Sequence, residues 1–295
     1  MHSRKPPAPK AANATLDFQE IIYLSMPYRT DRQDALSLIA ASAGLKFTMM
    51  PGVCSTCTRE DFCLENSRSQ PIRALIIEDD VDFDVNIKEI MGNLNWQLKY
   101  NNTIRWGDEV ERGAPGCDWD EIYVGQCSGG PNKERLDLHS IVPDPHSSKL
   151  SNIGQHWQKE FTETWNLTDS EGIRVISPTY GTLCTMGYGV SRLGAMRMLY
   201  HIGGWKQVSN PVDLELTWRS TEGKISGYTM SPPPFIAWRV GGAQDSDNDA
   251  ATNAKTEKSL GNSAGTSVGL KNSVRKALDD HLDKNYWKDR QDELR

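Results

Sequence analysis

No stretch of this 295-residue chain approaches the roughly 20 apolar residues of a membrane-spanning helix. A secretory signal is also missing: residues 1–10 are rich in Pro and Lys and lack an apolar core, so residues 1–16 read as a disordered tail. The expected compartment is the Golgi or secretory lumen if an anchor lies outside this chain, and the cytoplasm otherwise. The net charge of −6 gives no general reason to expect nucleic-acid binding. A second close cysteine pair is lacking. Cys54 and Cys57 have only Cys63 nearby, while Cys117, Cys127 and Cys184 lie far off beside apparent strands. That spacing disfavours structural zinc and leaves a disulfide among Cys54, Cys57 and Cys63 as the expectation in an oxidising compartment. Internal repeats are absent. Three Asn–x–Ser/Thr triplets, at Asn13, Asn101 and Asn166, matter only in a lumenal protein. What is present is globular composition, 37% hydrophobic and 24% charged, at a length that allows a substantial core.

The periodicity alternates strand and helix. Residues 18–24 read as a first strand, 25–32 as a polar Arg-containing loop, and 34–43 as a helix stopped by Gly44. Strands follow at 46–50, 73–77 and 120–124, with a helix at 85–94 and Gly125 closing the last strand. Residues 131–151, with Pro143 and Pro145, read as a long surface loop. Strand-like 183–190 leads to Ser191, which can cap a helix over 192–201. Asn210 and Pro211 open another helix, with Asn210 as its N-cap. Three prolines precede a short strand at 235–240, residues 243–267 read as a mobile linker, and 270–282 as a terminal helix. The class is α/β, expected as an open, mixed but mostly parallel sheet flanked by helices. Its main domain is expected over 17–242 and the linker with its helix over 243–295.

Five acids fall within seven residues: Glu78, Asp79, Asp80, Asp82 and Asp84. They follow the apolar run Ala74-Leu75-Ile76-Ile77, a strand buried on both faces. Ligands of open α/β sheets bind beyond the carboxyl ends of such strands. Carboxylates at close range raise each other's pKa, and a divalent cation offsets that repulsion. The cluster therefore reads as a metal–phosphate site, against the alternative of a solvated acidic strand exit. Alternation on a flat strand puts Glu78, Asp80 and Asp82 on one side, so spacing does not choose between the pairs Glu78/Asp80 and Asp80/Asp82. Arg29 and Arg32 follow the first strand and suit phosphates, or else ordinary surface charge.

Taken in order, six segments resemble glycosyltransferase family 25, which includes lipopolysaccharide and collagen galactosyltransferases, and resemble its fungal members most. They are residues 21–32, the acidic strand 74–84, the Trp-Asp strand 118–125 ending in Gly, the Tyr–x–x–Ser–x–x–Gly–Ala segment within 184–195, the Pro–x–Asp of Pro211 and Asp213, and the aromatic–Arg–Gly segment 235–241. The resemblance implies a GT-A-like hexosyltransferase using a UDP-sugar, with galactose or glucose as the sugar, Mn²⁺ or Mg²⁺ as cofactor, and a glycan or glycoprotein as acceptor. It places Leu24, Pro27, Arg29, Arg32 and Asp79 around the donor. It assigns metal to Glu78 and Asp80, with Asp82 as competitor, and the general base to Asp213. Asp213 also suits position N3 of its helix, where an acid favours the dipole; Glu215 is the fallback base. Trp119 and Tyr188 would stack on sugar or base, or belong to the core.

The chain departs from the family pattern in two places. The family's Gly–x–x–x–Cys and Ser–His segment is replaced by the unlike stretch 54–70, and Trp238 stands before Arg239 where relatives carry His. A degenerate member that binds nucleotide or a partner without turnover is therefore the second reading. A response-regulator receiver is the third: it too has acids after a strand, but it lacks the Arg loop and the ordered downstream segments.

Overall fold

The computed structural model describes residues 8–52, 73–101, 119–129, 131–203, 210–238 and 268–282. Strand β1 (Glu20–Ser25) leads into helix α1 (Thr30–Ser42) and returns as β2 (Phe47–Pro51). Gly44 turns that return at φ +60°, a conformation glycine adopts without a Cβ clash. β3 (Arg73–Glu78), β4 (Val81–Phe83), α2 (Ile87–Tyr100) and β5 (Glu121–Gly125) follow. Then come β6 (Ser140–Pro143), α3 (Gln155–Lys159), β7 (Ile173–Pro178), β8 (Gly187–Ser191), α4 (Arg192–His201), α5 (Val212–Thr221), β9 (Gly227–Ser231), β10 (Phe235–Ala237) and α6 (Val274–Leu282).

Eight strands form one sheet in the order β2-β1-β3-β8-β5-β9-β7-β6, and β4 pairs β10 in a small second sheet. The α/β class holds, but the sheet is not mostly parallel. Of its seven pairings three are parallel (β1 with β2 and β3, β5 with β9) and four antiparallel. The physical reason is two strands that insert antiparallel: β8 between β3 and β5, which lets those two run the same way without touching, and β7 between β9 and β6.

Alternation along the strands sends Ile21 and Tyr23, Leu75 and Ile77, and Ile122 and Val124 into one core. Leu36 and Ile39 of α1 cover it together with Ile87, Ile90, Met91 and Leu94 of α2. The segment expected to be a tail contributes to this core: Ala12 and Leu16 are buried, and the Ala12 N–H donates to the Lys88 carbonyl at 2.8 Å. Gly92 permits that approach, since a Cβ there would lie 2.0 Å from the Lys10 carbonyl oxygen.

Residues 131–151 are not the expected loop. They hold β6, which is followed by Asp144, a buried partner of Arg174, whose guanidinium also donates to the Pro232 carbonyl. The terminal helix is docked: Val274 is buried in the main core and Ser273 bridges to Asp84. Among the described residues no helix is long and apolar enough to cross a membrane.

Candidate functional site

β1, β3 and β5 run parallel; the carboxyl ends of β3 and β5 meet the start of β8, and that of β1 lies beside the end of β3. Leu24 lies beside Glu78, Ile77 beside Gly187, and Gly125 beside Gly187. The last contact requires glycine, because a Cβ on Gly125 would stand 2.6 Å from the Gly187 nitrogen. The strand-ending Gly125 is thus a close backbone approach at the sheet edge where the acids emerge.

The acidic run does not continue as a flat strand. β3 ends at Glu78, a turn takes Asp79 and Asp80, and Val81–Phe83 leaves to pair with β10. This break sorts the acids. Asp79 is buried and accepts from Arg32 Nη1 at 2.8 Å. Asp80 is half-buried, with Oδ2 at 3.8 Å from the same nitrogen. Glu78 accepts from Thr185 Oγ1 at 2.9 Å. Asp82 is fully buried and takes hydrogen bonds from Ser273 Oγ at 2.5 Å and from the Arg275 N–H at 3.3 Å. The alternation argument that grouped Asp82 with Glu78 and Asp80 fails at the turn, and Asp82 instead fastens the terminal segment. Asp84, also buried, accepts from the N–H groups of Asn86 and Asn272.

Arg32 reaches the acids because α1 begins at Thr30, a turn earlier than the loop reading implied, which puts Arg32 on its first turn. Arg29, the N-cap of α1, forks onto Asp31 at 3.0 and 2.9 Å. Leu24 and Pro27 are exposed at the same strand exit.

Asp213 lies on α5, but Pro211, not Asn210, is the N-cap, so Asp213 occupies the second helical position rather than the third. Its Oδ2 accepts from the Cys184 N–H at 3.3 Å and its Oδ1 from the Leu214 N–H at 2.9 Å. Cys184 and Thr185 are consecutive, so one dipeptide touches Asp213 with its first residue and Glu78 with its second. Cys184 holds φ +65° and is disulfide-bonded to Cys127, which follows β5. That pairing differs from the one expected among Cys54, Cys57 and Cys63, which lie outside the described residues together with all of 54–70 and Arg239. Asn210 Nδ2 and Arg219 engage the buried fallback Glu215.

Of the two aromatics, Trp119 is buried under the Arg73 guanidinium at the opposite ends of β3 and β5, away from the acids. Tyr188 is half-buried and stacked on Tyr123, with ring centroids 6.1 Å apart. Burial, with Glu121 and Glu78 nearby, pushes the Tyr188 hydroxyl up to about 12.

Two contributors to the site, and one buried acid at the far end of β5, had escaped the sequence reading. Thr185 and the Cys127–Cys184 link carry no local signal beyond hydrogen-bonding and thiol chemistry. Glu121 had one: it is an acid in an otherwise apolar strand. It is fully buried, and desolvation, then Asp120, raises its pKa to about 8.

Among the described residues no group of three or more His, Cys, Asp or Glu side chains is arranged to hold a metal ion. Nucleotide-borne Mg²⁺ commonly takes only one or two protein carboxylates, phosphates and water supplying the rest. Glu78 and Asp80 are two carboxylates at this exit that would meet that ligand count; Glu78 also accepts from Thr185 and Asp80 is approached by Arg32, while Asp79 pairs with Arg32 and Asp82 with Ser273. Comparison of the chain with protein-family models, curated proteins and solved structures finds no match.

Proposed function

We propose that this protein is a GT-A-like glycosyltransferase that moves a hexose, galactose or glucose, from a UDP-sugar to a hydroxyl of a glycan or protein acceptor. The observation that carries the reading is the Cys184–Thr185 dipeptide, which brings a carboxylate of the acidic strand exit and the carboxylate of α5 into one site. In this reading Arg32 and Arg29 face the donor's phosphates beside Leu24, Pro27 and Asp79. Asp80 and Glu78 hold Mn²⁺ or Mg²⁺, which supplies charge neutralisation on the departing diphosphate. Asp213 accepts the acceptor's hydroxyl proton as its oxygen bonds to the anomeric carbon and the bond to the β-phosphate breaks, releasing UDP. The Cys127–Cys184 disulfide supports an oxidising compartment such as the Golgi lumen.

A second reading, nucleotide or partner binding without turnover, is favoured by one observation: both Asp213 oxygens already accept backbone N–H groups, as a purely structural helix-start acid would. Donor hydrolysis across a set of UDP-sugars, with and without Mn²⁺, separates the two. Metal-dependent release of UDP supports the transferase. Metal-dependent UDP binding with no hydrolysis or transfer from any donor supports the binding protein.

A further inference from the structure

Arg275 lies on the first turn of α6 yet stands beside the acidic strand exit, where its charge acts on Asp82, Asp80 and Arg32. Its surroundings are unusual for an arginine among acids. Nε and Nη2 both donate to a carbonyl, that of Val81, at 3.1 and 2.9 Å. The guanidinium carbon sits 5.5 Å from the Trp238 ring centroid. Of the carboxylates whose charge acts on it, Asp82 is engaged by Ser273 Oγ and the Arg275 backbone, Asp80 approaches Arg32, which also holds Asp79, and Asp279 is exposed four residues on along α6. Among the described residues no carboxylate oxygen lies within 4.0 Å of the guanidinium, and Nη1 makes no hydrogen bond. The plane is therefore fixed on one edge and one face, while a half-buried positive edge is left to solvent. A guanidinium fixed in this way loses little further freedom on meeting a planar or tetrahedral oxyanion.

We infer that Arg275 is a phosphate-contacting residue, supplied by the terminal segment to the diphosphate of a nucleotide bound at the acidic exit. The inference rests on the donor-site reading above and extends it to a segment far away in sequence. The alternative role is a mere counter-charge for the acids, and the two roles respond oppositely to loss of the charge. Without a phosphate contact, Arg275→Gln leaves UDP affinity unchanged and tightens binding of Mn²⁺ alone, because a repelling cation is gone.

Calorimetry on the full chain with UDP, inorganic pyrophosphate and uridine, each with Mn²⁺, decides the matter. Arg275→Gln is expected to weaken UDP and pyrophosphate by about ten- to a hundredfold, the range for losing a charged hydrogen bond, and to leave uridine unaffected. Arg275→Lys is expected to recover part of the loss. UDP bound equally well by wild type and Arg275→Gln overturns the inference while leaving the donor site standing. Pyrophosphate binding that depends on Arg275, without UDP binding, overturns the donor reading and keeps the subsite. Binding of neither ligand by wild type removes both. A measurement free of folding effects uses the wild-type chain: pyrophosphate with Mn²⁺ is expected to suppress phenylglyoxal labelling of Arg275, read by mass spectrometry, and undiminished labelling counts against the contact.

Discussion

Asp213 and Glu121 are both carboxylates near Tyr123, and their surroundings set them different tasks. Asp213 is half-buried and held by two backbone N–H groups. If it takes the acceptor's proton, Asp213→Asn lowers transfer by about a hundred- to ten-thousandfold while UDP affinity and melting temperature stay near wild type. A helix-start role predicts the reverse, up to about 1 kcal/mol of stability and little activity. Glu121 is neutral in the fold, with its pKa at about 8, and ionised above its ordinary value of 4.5 in the unfolded chain. The fold therefore binds the extra proton between these values, so stability is greatest below the lower one and falls as pH rises toward the upper. Glu160, also raised to about 8 by burial, adds a parallel loss. Glu121→Gln is expected to flatten the decline of urea midpoint between pH 5 and 8 by part, not all. An unchanged slope would mean that Glu121 is ionised in the fold. Residues like these were legible in type but not in role. Ser191 was read as a cap and does accept from the Gly194 N–H at 2.9 Å, because a cap is decided within three residues. The surroundings of Asp82 were not legible because its partner Ser273 lies 191 residues downstream.

At the scale of elements, local periodicity located most strands and helices to within a few residues, since it depends only on neighbours. The helix at 192–201 was placed at its observed bounds. What failed needed contacts across the sheet. β6 hid in a proline-containing stretch because an edge strand tolerates Pro143 at its end. The turn at Asp79–Asp80 hid because its residues continue an acidic run without a glycine. The Cys127–Cys184 link was invisible because β5 and β8 become neighbours only after β8 inserts between β3 and β5. This link closes 57 residues and fixes Cys184, whose N–H holds Asp213. Replacing both cysteines by serine is expected to cost about 2–4 kcal/mol in urea unfolding. It should also lower transfer more than it lowers UDP affinity, because it loosens the α5 side and leaves the acidic turn intact. Equal losses in both would place the link's effect on the fold alone.

For the whole molecule, the terminal segment matters most. It joins β4 through Ser273 on Asp82, through Asn272 on Asp84 and through Arg275 on the Val81 carbonyl, and it packs Val274 into the same core as β1 and β3. The apolar spacing of Val274, Ala277 and Leu278 marks this short helix as one that docks by a face, but nothing local to residues 268–282 names β4 as what it docks on. These contacts tie the acidic turn to α6, so opening of one is expected to loosen the other. A ligand that binds only the closed arrangement stabilises both by mass action, about 2.7 kcal/mol at a hundredfold excess over Kd. Hydrogen exchange with UDP and Mn²⁺ should then slow amides in two places far apart in sequence, 78–85 and 273–278, with little change around Trp119 at the other end of the strands. EDTA should abolish the effect, and Asp80→Ala should strongly reduce it. Ser273→Ala, which removes a donor to a fully buried carboxylate, is expected to raise exchange in α6 without ligand and to cost about 1.5–3 kcal/mol of stability. Protection confined to 78–85 would show that the nucleotide is held by the strand exit alone and that α6 takes no part in binding it.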